Sequence, residues 1–205
     1  VSGDPALAAA TEDDDMYSPV AARLGVARDV AKVAVLGAMY GQTTGHGAAA
    51  LAGLRTNYPI AMGYLDGAAR RAEGGNDLRT RGGRLVRMSS AGDPGDDDGP
   101  SGVERSRAAA RGRYGRNAMV QGAAAEFFKT WAVIVRARCA GSAARIVMCL
   151  HDELLVHCPV ADADEVLRRV TDGVQEAAHR WLEPTAPHVR FVAEASVIHR
   201  WSDAK

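Results

Sequence analysis

The sequence feature that most constrains the fold is a long helical pattern over residues 103–138. Apolar side chains recur there at the three- and four-residue spacing that places them on one face of a helix. The residues of this face are Met119, Val120, Ala123, Phe127, Trp131 and Ile134. The pattern predicts the longest helix of the chain, and the other elements are placed relative to it.

The segments after this helix predict a strand–turn–strand unit followed by a helix and a last strand. Residues 145–150 and 154–158 are strand-like runs, and the polar triplet His151-Asp152-Glu153 separates them. Residues 162–182 return to helical spacing, and residues 189–198 are again strand-like. Together with the helices before residue 103, this order predicts an α+β fold with an antiparallel sheet backed by helices.

The first half of the chain is predicted to be mainly helical. Its predicted helices cover residues 16–24, 28–40, 46–54 and 58–73. Gly41 is a suitable stop for the second of these helices, and Asn57 is a plausible cap for the last. Residues 77–88 contain Gly82-Gly83 between two short runs, which indicates a hairpin. The acidic run at residues 12–15 predicts a solvated stretch, and residues 89–102 predict a flexible loop because they are nearly all Gly, Ser, Asp and Pro.

Composition excludes several classes of protein. The 205 residues carry 25 basic and 25 acidic side chains, so a generally basic nucleic-acid-coating protein is not expected, although local patches remain open. Three cysteines are too few for a disulfide scaffold. No apolar run approaches the ~20 residues of a membrane span, and the acidic N-terminal stretch lacks a signal-peptide pattern. We therefore predict a cytoplasmic protein without a membrane partner. Since only 5% of residues are aromatic, its core must consist mainly of Ala, Val, Leu and Ile.

The first candidate site is a stripe on the helix at 28–40. Arg28, Lys32, Leu36 and Tyr40 are spaced four residues apart, so they share one slowly drifting face. Two cations one turn apart on an otherwise apolar helix must face water, acids or phosphates. The stripe is therefore either a solvent-facing edge or a triphosphate clamp with Tyr40 as a stacking platform.

The second candidate site is the triplet His151-Asp152-Glu153 at the tip of the predicted hairpin. Two adjacent carboxylates repel each other, and Mg²⁺ would relieve that repulsion because it prefers oxygen ligands. An ordinary polar turn is the alternative. A zinc site formed by Cys149, His151, His157 and Cys158 is a weaker alternative, since the spacing fits no usual zinc pattern.

The third candidate site is a stripe on the long helix. Arg113, Asn117 and Gln121 are again four residues apart. These side chains can contact a phosphate backbone and base edges. A solvated helix face would look the same.

The three sites in this order resemble the C-terminal part of the family A DNA polymerases, the group of bacterial DNA polymerase I. The matching motifs are R-x3-K-x3-L-x3-Y-G at 28–41, R-x3-N-x3-Q-G at 113–122 and H-D-E at 151–153. The segments GGRLVRM, NAMVQGAAAEFFK and WSDAK fit as well, so the resemblance covers nearly the whole chain. It implies three regions. Residues 1–88 would be the fingers region with a preceding palm-edge helix, 89–102 a flexible loop, and 103–205 a palm region with the long helix and the HDE hairpin.

The resemblance also implies a function, which is template-directed DNA synthesis in replication or repair. The partners would be primer–template DNA and deoxynucleoside triphosphates, and the cofactor Mg²⁺. A primer 3′-hydroxyl would attack the α-phosphate in line, with two metal ions stabilising the attacking and leaving oxygens.

The motifs carry particular roles over to particular residues. Arg28 and Lys32 would bind the triphosphate, with Lys32 a candidate catalytic residue, and Tyr40 would stack at the templating position. Asp152 would ligate the metal and Glu153 would assist it. The residues implied to contact primer–template DNA are Arg113, Asn117, Gln121 and His151.

Two departures from the family pattern affect these expectations. Leu36 stands where the family usually has Phe or Tyr, so the usual selectivity at the nucleotide sugar is in question. The family's other metal-binding Asp belongs to a first palm motif, and none of Asp4, Asp13, Asp14 or Asp15 has that motif's context. We therefore expect a fragment of a longer polymerase that does not extend a primer alone. The alternative is a degenerate nucleic-acid-binding protein that has lost catalysis.

Overall fold

The computed structural model describes residues 1–41, 48–88, 101–182 and 188–203. It confirms the α+β fold, with seven α-helices and two antiparallel two-stranded sheets in that part of the chain. The helices are α1 (Pro5–Ala9), α2 (Tyr17–Leu24), α3 (Arg28–Tyr40), α4 (Ala48–Asn57), α5 (Pro59–Glu73), α6 (Ser101–Arg138) and α7 (Ala163–Trp181). The strands are β1 (Leu78–Arg79) and β2 (Leu85–Val86), and β3 (Arg145–Leu150) and β4 (Glu153–His157).

The described residues form two compact units. The first unit is Val1–Ala123 with a short piece near residue 188, and the second is most of the remaining chain. The boundary between the units therefore falls within α6. The two predicted hairpins at 77–88 and 145–158 are confirmed, one in each unit.

Helix α3 has the predicted bounds and the predicted stop. Gly41 adopts the left-handed conformation with φ 73°, and its N–H donates to the carbonyl of Gly37. The prediction that Asn57 caps the following helix is wrong. Asn57 is the last residue of α4, and its side-chain amide donates to the carbonyl of Gly53 at 2.9 Å. Helix α5 instead begins at Pro59, whose fixed φ suits a first helical position.

The acidic N-terminal segment contains a buried anchor that the sequence analysis missed. Asp4 is 4% exposed, and its Oδ1 accepts hydrogen bonds from the N–H groups of Ala6 and Leu7 at the start of α1. Its Oδ2 accepts a third bond from the N–H of Ala61 at 2.9 Å. One carboxylate therefore caps α1 and joins it to the first turn of α5.

The core of the first unit is built largely from alanine. On α3 the buried positions are Ala31, Ala34, Gly37 and Ala38. They pack with larger side chains of neighbouring helices, including Val20, Leu54 and Met62. Small side chains let helix backbones approach closely, so this part of the core depends on backbone proximity rather than on aromatic bulk.

Glycines on α6 mark another close approach in the first unit. A Cβ atom on Gly115 would lie 2.5 Å from Cβ of Ala72, and one on Gly122 would lie 2.5 Å from Cγ2 of Thr80. A Cβ atom on Gly112 would lie 2.5 Å from Oε1 of Glu73. One face of α6 therefore packs directly on α5 and on the hairpin that follows it.

A buried ion pair fixes four helices of the first unit. Arg116 on α6 is 8% exposed, and its Nη1 donates to the carbonyl of Ala38 on α3 at 2.8 Å. Its Nη2 pairs with the Asp66 carboxylate on α5, which also accepts hydrogen bonds from Arg55 on α4. Arg116 thus joins α3 and α5 to α6, and Asp66 extends the network to α4.

The second unit packs the β3–β4 hairpin and the C-terminal half of α6 with α7. Trp131 is buried, and its Nε1–H donates to the carbonyl of Val170 at 3.0 Å. The predicted strand over 189–198 is wrong, because no strand is present among the described residues after 187. The ring of Phe191 instead stacks on Phe127 at 4.2 Å, and its carbonyl accepts a hydrogen bond from Gln175. Side-chain contacts thus hold this segment without a backbone ladder.

Two predicted segments lie partly outside the residues that the structure describes. Most of the predicted 89–102 loop lies outside the described residues, but residues 101 and 102 belong to α6 instead. Residues 46 and 47 of a predicted helix also lie outside them. In the described part of the chain, no helix combines the length and the apolar character needed to cross a membrane.

The close approach at Gly115 predicts a matched pair of glycine substitutions. Gly115→Ala should lower the free energy of unfolding by about 1–3 kcal/mol, because the new methyl group would overlap Ala72. Gly63→Ala places the same methyl group on α5 with nothing within 4 Å, so it should stabilise by up to about 1 kcal/mol through helix propensity. Urea unfolding monitored by circular dichroism compares the two. Equal changes for both variants would contradict the close packing of α6 on α5.

The Asp66 network predicts a pH dependence of stability. Burial alone would raise the pKa of Asp66, but hydrogen bonds from Arg55 and the charge of Arg116 outweigh it, so the pKa lies below its usual value. Asp66 therefore stabilises the fold above about pH 4, its pKa in an unfolded chain, and loses this effect as the pH falls through the lower folded value.

Asp66→Asn should accordingly cost about 2–3 kcal/mol at pH 7, since it leaves the buried Arg116 without its carboxylate. The difference from wild type should shrink below pH 4. Arg55→Ala removes only the more exposed partner of Asp66 and should cost less than about 1 kcal/mol. A constant difference between wild type and Asp66→Asn from pH 7 to pH 3 would refute the assignment.

Candidate functional site

The α3 stripe faces solvent along most of its length. Arg28, Lys32 and Tyr40 are exposed, whereas Leu36 is half-buried. The opposite side of α3 carries the buried alanines of the core. The two cations are therefore accessible, which is compatible with a solvated edge and with a phosphate-binding surface.

Arg28 is already paired within the first unit. Its Nε donates to Oδ2 of Asp15 at 2.6 Å and its Nη2 donates to Oδ1 at 2.9 Å. Hydrogen bonds from Arg28 and then from Ser18 hold the pKa of Asp15 well below its usual range. The predicted solvated acidic run is thus corrected at its last residue, because Asp15 is half-buried and bound to the stripe. A phosphate group at Arg28 would have to share or displace this carboxylate.

Lys32 has a different environment from Arg28. Its Nζ lies 5.8 Å from the ring centroid of Tyr17, and the Arg28 guanidinium lies 5.7 Å from the same centroid. Cations at such distances are attracted by the face of an aromatic ring. The ring of Tyr17, which was not among the candidates from the sequence, therefore attracts both cations. Within the described part of the chain, no acidic group forms an ion pair with Lys32.

The α6 stripe and the end of α3 line one open groove in the first unit, with a volume of about 960 Å³. Tyr40 comes from α3, and Arg113, Asn117 and Gln121 come from α6. The structure thus brings together four of the residues that the sequence singled out in two separate stripes.

The groove also contains residues that sequence reasoning missed. Arg84 and Arg87 line it from the β1–β2 hairpin, and Tyr114 lines it from α6. The available signal was the segment GGRLVRM, in which two arginines flank the short strand β2. Three of the lining residues are arginines, so the groove is suited to an anionic, partly aromatic ligand.

A glycine permits the groove to form at the end of α3. A Cβ atom on Gly41 would lie 3.0 Å from Cγ of Arg113, and the positive φ of Gly41 is also unfavourable for other residues. The backbone following Tyr40 can therefore lie directly against α6. This contact sets the aromatic ring beside the α6 stripe.

The third candidate site lies at the turn between β3 and β4 in the second unit. His151 has φ 51°, a left-handed conformation that is uncommon for residues other than glycine, and Asp152 follows it in the turn. Glu153 begins β4 and pairs with Leu150 across the hairpin. All three polar residues are exposed, so the two carboxylates are accessible but solvated.

The described residues do not form a complete metal site. No three His, Cys, Asp or Glu side chains converge among them in a way that could hold a metal ion. The zinc alternative is therefore not supported, because Cys149, His151, His157 and Cys158 are all described and do not converge. Asp152 and Glu153 offer carboxylates from one hairpin, so they could supply only part of a magnesium site, whose remaining ligands would be water and substrate phosphates.

Comparison with known proteins gives one family and one fold. Among the solved structures that match is the POL domain of Pol1 from M. smegmatis, in complex with DNA primer-template and dNTP, which is 24% identical with a TM-score of 0.68. The match covers 86% of this chain and 34% of that one, so this chain spans about a third of its length. The comparison with curated proteins gave no match. The model of DNA polymerase family A matches residues 1–203. This match covers nearly the whole sequence, and the chain therefore belongs to DNA polymerase family A.

Proposed function

We propose that this chain supplies the nucleotide-binding and primer–template-binding part of a template-directed DNA polymerase. The observation that carries the proposal is the groove in which Tyr40 meets Arg113, Asn117 and Gln121. Membership of family A supports it. The solved Pol1 domain with the same fold was in complex with DNA primer-template and dNTP, which are the two ligands that we propose for this chain.

In this proposal α3 binds the triphosphate of the incoming nucleotide. Lys32 is exposed and carries a compact positive charge, so it can meet the phosphates directly. Arg28 contributes once a phosphate competes with Asp15 for its guanidinium. Leu36 lies between Lys32 and Tyr40 and presents an aliphatic surface to the sugar, where the family usually has a ring.

The groove binds the nucleic acid in this proposal. The ring of Tyr40 offers a flat face on which any base can stack. Arg113, Arg84 and Arg87 supply positive charge for backbone phosphates, and such contacts position a strand without reading its sequence. The amides of Asn117 and Gln121 can donate to and accept from base edges or sugars.

The proposed roles of the β3–β4 hairpin are more limited. His151 would contact the primer end, and Asp152 would be one ligand of magnesium with Glu153 beside it. When bound, magnesium would stabilise the charge that develops during nucleotidyl transfer. Since the described residues do not complete such a site, we assign no further step to the metal.

A second candidate function is nucleic-acid binding without catalysis. The incomplete carboxylate set among the described residues favours it. Primer extension with Mg²⁺ and all four deoxynucleotides separates the two functions. Extension that is lost in Asp152→Ala would show that the chain polymerises DNA by itself. DNA and nucleotide binding without extension would assign it the binding role alone.

The groove predicts which arginine contributes to DNA affinity. Arg113→Ala should weaken binding of a primer–template and reduce the dependence of log K on log salt by about one unit, the loss of one phosphate contact. Arg71→Ala removes the same charge from an exposed position on α5 that does not line the groove, so it should change the affinity much less. Fluorescence anisotropy of labelled DNA between 50 and 200 mM salt, about the range over which phosphate contacts weaken strongly, measures both. Equal effects of the two variants would argue against the groove.

The α3 stripe predicts a lysine-specific effect on nucleotide binding. Lys32→Ala should weaken binding of a fluorescent deoxynucleoside triphosphate by roughly ten- to hundredfold, because a charged hydrogen bond to phosphate contributes about 1.5–3 kcal/mol. Lys129→Ala removes another exposed lysine, this one from the second unit, and should leave the affinity unchanged. If the two variants bind the nucleotide equally well, α3 does not bind the triphosphate.

A further inference from the structure

Arg116 links the two helices that carry the proposed binding residues. It lies on α6 one turn after Arg113 and directly before Asn117, but it is buried while Arg113 is exposed. Its guanidinium donates to the carbonyl of Ala38, two residues before Tyr40 at the end of α3. The same guanidinium pairs with Asp66 on α5.

The chemistry of this contact requires an arginine. The carbonyl groups in the last turn of a helix lack helical partners, so Ala38 offers an acceptor that α3 itself cannot satisfy. A guanidinium has several N–H groups in a rigid plane and can serve the carbonyl and the carboxylate together. A lysine has one flexible nitrogen and cannot hold both acceptors in this fixed arrangement.

The contact also defines the position of the groove. Tyr40 reaches the groove from the end of α3, and Asn117 reaches it from the residue next to Arg116. A displacement of the end of α3 would therefore pull on the guanidinium and move the adjacent turn of α6. Loosening this contact would let the two sides of the groove move independently.

We propose that Arg116 is a positioning residue that couples triphosphate binding on α3 to DNA binding in the groove. This inference rests on the proposed function and adds the link between its two ligands. Binding of DNA to α6 and to Tyr40 holds the end of α3 in one position. Because Lys32 lies on the same helix, the triphosphate then binds with a smaller loss of conformational entropy. Coupling of this kind is reciprocal, so the nucleotide strengthens DNA binding by the same factor.

The test measures a coupling factor, which is the ratio of the triphosphate Kd without DNA to the Kd with saturating primer–template. We expect roughly five- to 150-fold for the wild-type chain, the usual range for coupled sites. Arg116→Lys keeps the charge but loses the double contact, so its factor should fall close to one. Arg55→Ala is the matched control, because the described hydrogen bonds of Arg55 go to the same Asp66, whereas those of Arg116 also reach the Ala38 carbonyl on α3. Its factor should stay at the wild-type value.

A merely structural role for Arg116 gives a different result. General loosening would weaken triphosphate binding equally with and without DNA, so the coupling factor would stay at the wild-type value. Asp66→Asn is a second variant in case Arg116→Lys folds poorly, because it retains Arg116 and should lower the factor in the same direction. A wild-type factor in Arg116→Lys or Asp66→Asn overturns the inference, as does an equal reduction in Arg55→Ala. A wild-type factor of one overturns the inference but leaves the proposed function standing. Failure of the wild-type chain to bind either ligand overturns the proposed function and the inference with it.

Discussion

The buried guanidinium of Arg116 is the interaction on which the first unit depends. A charged group that leaves water without partners costs several kcal/mol, so α6 can pack here only if acceptors meet it. The Ala38 carbonyl and the Asp66 carboxylate provide those acceptors from α3 and α5. Since Arg55 also contacts Asp66, the requirement to satisfy one charge sets the relative positions of four helices. The groove is a consequence of that arrangement.

Small residues make this arrangement sterically possible. Gly115 and Gly122 let α6 lie against Ala72 and Thr80, and Ala38 lies buried where α3 meets α6. A bulkier contact face would separate the helices and place the Ala38 carbonyl out of reach of Arg116. The low aromatic content is thus more than a compositional bias, because the distances between helices here are those that alanine and glycine allow.

The elements that follow from local pattern could be predicted from the sequence. The bounds of α3 and its stop at Gly41 follow from helical spacing and the conformational freedom of glycine. Both hairpins also follow from short apolar runs around turn residues. In addition, the spacing of Arg113, Asn117 and Gln121 correctly placed these three side chains on one side of α6, where they line the groove.

The features that were missed or wrongly predicted from the sequence depend on contacts between residues far apart in the chain. Asp4 resembles any acid near a terminus, yet it binds the N–H of Ala61. Arg116 is one of many arginines in the chain, and nothing local distinguishes it from its exposed neighbour Arg113. The segment around Phe191 has the composition of a strand, but the stacking of Phe191 on Phe127 replaces the pairing that a strand needs. Periodicity contains no information about such partners.

The two cations of the α3 stripe have different interaction partners, and this difference refines the role that their spacing suggests. Arg28 and Lys32 are equivalent by position, but Asp15 neutralises only Arg28. The guanidinium of Arg28 also lies 3.6 Å from a carboxylate oxygen of Asp29. Exposed ion pairs of this kind contribute little stability, so in the proposed function a ligand carrying several negative charges would compete with these carboxylates for the guanidinium. The Lys32 ammonium needs no such exchange, because its described neighbour is the uncharged ring of Tyr17. In the proposed function, Lys32 would therefore make the first contact with the triphosphate, and Arg28 would join as the phosphate shares or displaces Asp15.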